Sequence, residues 1–122
     1  MIYNADNIFA KILENKIPCK KFYEDEFVLS FPDINPLTSV HLLIIPKGSY
    51  VSFHDFSLKA SPEELAGFFR AVGLIAKKAG VERSGYRLIA NHGRDANQEV
   101  PHFHMHLLGG EPLGSMLGSR HR

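Results

Sequence analysis

The chain has 122 residues, enough for one domain spanning 1–122 and too few for a second, and its hydrophobic share of 44% supports a real core. A formal net charge of +1 excludes a protein that grips nucleic acid through a basic face, since the densest basic spots are only Lys20-Lys21, Lys77-Lys78 and Arg120-His121-Arg122. No apolar run approaches the roughly 18 residues a membrane span needs, and Met1–Asp6 carries no basic start followed by an apolar stretch, so a cytoplasmic location is expected.

The first element reads as a short helix, capped by Asp6, with Ile8, Phe9, Ile12 and Leu13 on one face. Pro18 ends it. Cys19 is the only cysteine, so no intrachain disulfide and no cysteine zinc site can form, and it reads as a structural residue. Lys20–Glu24 and Glu26–Phe31 read as two strands turning at Asp25. Pro32-Asp33-Ile34-Asn35-Pro36 is a loop. Val40–Pro46, dense in Leu and Ile, is a buried strand.

Ser61-Pro62-Glu63-Glu64 carries a capping box, and Leu65, Phe68, Phe69, Val72, Ile75, Ala76 and Ala79 supply the apolar stripe of a long helix that Gly80 stops. Tyr86–Asn91 is a strand, Gly93–Gln98 a polar loop and Pro101–Leu108 a final strand closed by Gly109-Gly110, with a tail over about 111–122. Strands that follow one another before the long helix favour an antiparallel α+β domain over a parallel one.

Seven histidines are present, and three alternate: Pro101-His102-Phe103-His104-Met105-His106-Leu107-Leu108. On a strand this places three imidazoles on one face and Phe103, Met105 and Leu107 on the other. An apolar reverse face marks the histidine face as functional. Two chemistries fit it. Histidines at i and i+2 can share a zinc ion, although the outer pair stands roughly 13 Å apart along a strand and His41 or a carboxylate from elsewhere would be needed. Alternatively, the row cradles a phosphate while its central imidazole attacks phosphorus. Spacing alone leaves both open. His54, His92 and His121 read as surface residues.

The run His102-Phe103-His104-Met105-His106-Leu107-Leu108 resembles the signature of the histidine triad family. The likeness extends through Asp6-Asn7-Ile8-Phe9, Ile17-Pro18, Phe31-Pro32-Asp33-Ile34, His41–Lys47, Gly85–Leu88, Asn91, Gln98-Glu99-Val100 and Leu107–Gly110, and is similar to the branch of nucleoside phosphoramidases in its bacterial form. The resemblance implies a five-stranded antiparallel sheet with a short N-terminal helix and one long helix, joined edge to edge in a homodimer. It also implies hydrolysis of the P–N bond of a purine nucleoside 5′-phosphoramidate, an AMP or GMP derivative, with no cofactor or metal. His104 would be the nucleophile, its tautomer set by the carbonyl of His102. His102 and His106 would flank it and His41 would support the row. Asp33 would accept the ribose hydroxyls, Phe9, Ile12, Ile17, Phe31 and Ile34 would wall the base, and Asn91, Gln98 and Glu99 would lie near the phosphate. Glu99 stands where animal members carry a serine, and Pro101 where an aromatic or histidine is usual. Two other functions remain open: a dinucleoside polyphosphate hydrolase, and a nucleotide-binding or scaffold protein with little turnover.

Overall fold

Asn7, not Asp6, opens the first helix of this computed structural model, which describes residues 2–118: its side chain accepts the backbone N–H of Ala10 at 2.9 Å. Asp6 instead pairs with Lys11. Helix α1 (Ile8–Leu13) turns Phe9, Ala10 and Ile12 inward, whereas Ile8, read as part of that face, is exposed.

Strands β1 (Tyr23–Glu24), β2 (Val28–Pro32), β3 (Val40–Pro46), β4 (Tyr86–Ile89) and β5 (Met105–Gly109) form one antiparallel sheet in the order β1-β2-β3-β5-β4. The expected first strand, Lys20–Glu24, shrinks to two residues. In its register Lys21 would face Pro32, which has no N–H to give a ladder. Asp25 makes the turn, accepting the N–H groups of Phe27 and Val28. The last strand begins at Met105 rather than Pro101, because its partner β3 ends at Pro46, which again lacks a donor. Strand β4 likewise ends at Ile89, short of Asn91.

Helix α3 (Pro62–Lys78) begins at the Ser61/Glu64 capping box, as its sequence predicts. Gly80, at φ +76°, terminates it in a conformation that suits glycine. Its Phe68, Ala71, Val72, Ile75 and Ala76 cover one sheet face, meeting Val28, Leu42, Ile44, Met105 and Leu107. Phe69, assigned to the same stripe, is 48% exposed, and Leu65 packs only at the margin. Gly67 lets α3 approach Phe27: a Cβ there would lie 2.2 Å from the Phe27 ring.

A further helix, α2 (Phe53–Lys59), was not expected from the sequence. Its start is secured by Asp55, whose carboxylate accepts the N–H groups of Val51 and Ser52 at 2.7 Å each. Phe56 from α2 stacks on Phe103 with centroids 4.8 Å apart, extending the core past the end of the sheet.

On the other sheet face, α1 brings Phe9 and Ile12 onto Leu29, Phe31, Leu43 and Ile45. Both faces of β3 are therefore buried, which explains its unbroken apolar run. Cys19 sits half-buried beside this second cluster, and burial raises its thiol above the usual range, so it is no poised thiolate.

Candidate functional site: a row of neutral imidazoles

The alternation read from the sequence survives beyond the ladder. Phe103, Met105 and Leu107 enter the α3 core, while the histidines face the α1 side. Their environments differ. His102 is wholly buried, His104 is buried in a T-shaped contact with Phe9, ring centroids 5.0 Å apart, and His106 is half-buried. His41, on β3, comes alongside: its Nε2 lies 2.9 Å from Nδ1 of His106.

Backbone partners settle where the protons sit. The amide of Leu37 donates to His41 Nδ1 at 3.1 Å, so the His41 proton is on Nε2. That Nε2–H donates to His106 Nδ1, with the Asp33 carboxylate 3.6 Å away as a weaker alternative. The proton of His106 is then on Nε2, free to donate outward. His104 Nδ1–H donates to the His102 carbonyl at 2.7 Å, which leaves a lone pair on His104 Nε2. His102 donates from Nε2 to Pro46 O at 2.9 Å.

Burial holds all four imidazoles below their ordinary range, most strongly His106, which falls to about 4. For His106 the neighbours His104 and His41 add to the lowering, and Asp33 opposes it. For His104, the His102 carbonyl, Asp33 and Glu99 oppose it. Near pH 7 the row is neutral: one ring offers a lone pair and the next offers an N–H.

A cation could in principle sit among Asp33, His41 and His106, whose ligand atoms lie within 4.8 Å of one another. The chemistry of the donor set does not fit. With Nδ1 of His41 accepting the Leu37 amide, coordination through Nε2 would require an imidazolate. The triangle suits a shared proton.

The other expected site residues are distributed unevenly. Asp33 follows β2, accepts the Asn35 amide through Oδ1 at 2.8 Å and leaves Oδ2 beside His41. Ile34 next to it is 91% exposed, whereas Phe9, Ile12 and Phe31 belong to the second core cluster, with Ile17 at its margin. Asn91 lies half-buried just past β4. Glu99 is exposed and borders a cavity of about 270 Å³ shared with Asn4, Asp6, Asn7, Ile8, Val100 and Pro101. Gln98 points elsewhere: Nε2 donates to Val51 O at 2.7 Å and Val100 O at 3.0 Å, and Oε1 accepts Gly93 N–H at 3.0 Å. Its amide is fully used in holding the 93–100 loop against the start of α2.

Of the histidines read as surface residues, His54 is exposed, and His92 is tied through Nδ1 to Ser52 Oγ at 2.6 Å with its ring 5.5 Å from that of His54. His121 lies outside the described residues. Sequence reasoning did not single out Tyr3, whose hydroxyl is 2.7 Å from His102 Nδ1; no local pattern links positions so far apart in the chain.

The HIT domain model matches residues 14–113. A purine nucleoside phosphoramidase of Escherichia coli is 41% identical over 115 residues, covering 94% of this chain and 96% of that protein. A 13.2 kDa HIT-like protein of Azospirillum brasilense is 53% identical over 115 residues, covering 94% of each. Among solved structures, a histidine triad protein from Clostridium difficile superposes with a TM-score of 0.84 at 37% identity, covering 94% of this chain and 99% of that one. A HIT family hydrolase from Clostridium thermocellum gives 0.85 at 37% identity, covering 93% and 98%. The chain therefore belongs to the HIT family, with hydrolases among its relatives.

Proposed function

We propose that this protein hydrolyses the P–N bond of purine nucleoside 5′-phosphoramidates, derivatives of AMP or GMP. The observation that carries the reading is the state of His104: its proton is held on Nδ1 by the His102 carbonyl, and its Nε2 lone pair is free. That is the form an imidazole nucleophile needs. The name of the E. coli relative points to the same substrate class.

In the reaction, His104 Nε2 attacks the α-phosphorus in line. The P–N bond breaks and the amine leaves with a proton drawn from the solvent, which the attacking water of the second step returns. Water then attacks the nucleotidyl-histidine, releases the nucleoside monophosphate and regenerates the imidazole. The cation that forms on His104 is relieved through Nδ1–H toward the His102 carbonyl, a fixed dipole already in place. His106 offers Nε2–H to a phosphate oxygen, kept in that tautomer by His41. Asp33 accepts the ribose hydroxyls with the lone pairs its loop contacts leave free. Ile34 and the rims of Phe9, Ile12, Ile17 and Phe31 flank the base. Asn91 and the Glu99 backbone lie toward the phosphate, and Gln98 holds the 93–100 loop that carries Glu99.

The protein is further proposed to act in the cytoplasm as a homodimer. No described helix is long and apolar enough to cross a membrane. Strand β4 is a sheet edge whose Tyr86 and Leu88 are 38% and 41% exposed, and a second copy would cover it.

The test is turnover of a fluorogenic adenosine 5′-phosphoramidate in excess chelator. Wild type turns over, and His104→Ala loses about 10³-fold or more while still binding AMP. Wild-type protein that binds AMP without turnover would favour a binding protein instead.

A further inference from the structure

His102 is the one member of the triad with none of its surface exposed, yet both its ring nitrogens have partners. Nε2–H donates to Pro46 O at 2.9 Å, and Nδ1 accepts the hydroxyl of Tyr3 at 2.7 Å. The direction of that hydroxyl is set from behind. Asn7 Nδ2 donates to the Tyr3 oxygen at 3.1 Å and also to Asn4 O at 2.8 Å, while Asn7 Oδ1 is occupied by the Ala10 amide. A phenol oxygen that accepts one N–H turns its own proton to the acceptor that remains, here His102 Nδ1. From Asn7 to Tyr3 to His102 to Pro46, each proton points one way.

The chain of bonds runs through the residue whose main chain meets His104. The main-chain carbonyl of His102 is the acceptor of His104 Nδ1–H. Ring and carbonyl belong to one residue, so a ring that cannot turn restricts the carbonyl. Tyr3 and Asn7 lie before residue 14, outside the segment matched by the HIT domain model.

We propose that the N-terminal arm, through Tyr3 and Asn7, is a positioning element of the reaction: it locks the His102 ring, and so aims the His102 carbonyl that keeps the His104 proton on Nδ1. This rests on the reading of His104 as nucleophile. The titratable groups that face His102 are Tyr3 from the arm, His104 from the same chain segment and Asp55 from α2; β3 contributes the Pro46 carbonyl and α1 the Phe9 ring edge. Burial and His104 favour the neutral ring, and Pro46 and Asp55 oppose them. A hydroxyl donated to the Nδ1 lone pair favours the neutral ring further.

Two full-length variants test the clamp. Tyr3→Phe removes the donor. Asn7→Asp keeps an oxygen for the Ala10 amide but replaces the Nδ2 donor with an acceptor, which draws the Tyr3 proton away from His102. In wild type, ¹⁵N NMR shows His102 as the Nε2–H form and a His104 Nδ1 proton that exchanges slowly. In Tyr3→Phe that proton exchanges faster, His102 titrates at higher pH, kcat falls about tenfold with KM within about twofold, and the acid limb of kcat moves to higher pH. Asn7→Asp moves both titration and limb further. A wild-type His102 carrying its proton on Nδ1 overturns the clamp. So does either variant with unchanged His102 titration and His104 exchange, or one whose only change is a lower melting temperature. The NMR readouts need no substrate. A wild type that does not cleave phosphoramidates therefore removes the reaction while the clamp is judged on His104 exchange.

Discussion

Lowering the pH from 7 to 5 destabilises this protein through its histidines, and His106 allows the size to be worked out. Its folded value, about 4, lies below the 6.5 of an unperturbed ring. Between those two values the unfolded chain binds more protons than the folded one, so stability rises with pH and is lost as pH falls through the window. Unscreened, the linkage integral from pH 7 to pH 5 is about 2 kcal/mol for this one ring. Because His106 is only half-buried, solvent screening reduces it to about 1 kcal/mol. His41, His102 and His104 shift in the same direction and add to it. Working above pH 5 avoids the carboxylates of Asp55 and Glu64, which are held below their usual range and whose contribution is lost only at lower pH. The assay is urea unfolding at pH 7, 6 and 5 for wild type and His106→Asn. Wild type loses more stability than the variant, by about 1 kcal/mol. Equal losses would refute the account of a neutral His106 held by burial, and a wild type more stable at pH 5 would refute it for the whole row.

Gly67→Ala sets a clash of the new Cβ with the Phe27 ring, costing about 1–3 kcal/mol, against about 1 kcal/mol gained in helix propensity, so urea unfolding shows a net loss that Phe27→Leu partly restores. Gly73→Ala on the same helix meets nothing within 4 Å and raises stability by about 0.5–1 kcal/mol. Ser30 Oγ is buried with no partner among the described residues, so Ser30→Ala leaves stability unchanged or raises it by about 0.5 kcal/mol, read from the denaturation midpoint. Gln98→Glu keeps the length but faces the Val51 and Val100 carbonyls with acceptors, so it costs more stability than Gln98→Ala, read from the urea denaturation midpoint.

The pattern of the chain carried the fold wherever a periodicity met its own boundary signals. The Ser61 capping box and Gly80 bracket α3 as expected, and the run from Val40 to Pro46 is β3 to the residue. It failed where an element's extent depends on a partner elsewhere. Nothing near Lys20 or Pro101 announces that Pro32 or Pro46 will stand opposite and end the ladder. Helix α2 was hidden because His54, Asp55, Ser57 and Lys59 make its short sequence read as polar loop, while its stability comes from one buried residue, Phe56, and the Asp55 cap.

At the site the same division holds. Alternation alone identified the histidine face, and it held even where the strand did not. What alternation could not supply is the difference between the three rings. His102 is buried and its ring bonds to Tyr3 and Pro46, His104 has a free lone pair, and His106 offers a proton. These roles come from four partners remote in sequence or invisible as side chains: the Leu37 amide, the carbonyls of Pro46 and His102, and the hydroxyl of Tyr3. Three of the four are main-chain groups, which every substitution of their own residue keeps except proline at Leu37. The backbone therefore anchors the tautomers wherever the fold forms, and His41, which passes the Leu37 constraint on to His106, and Tyr3 are the places where a single side chain can alter them.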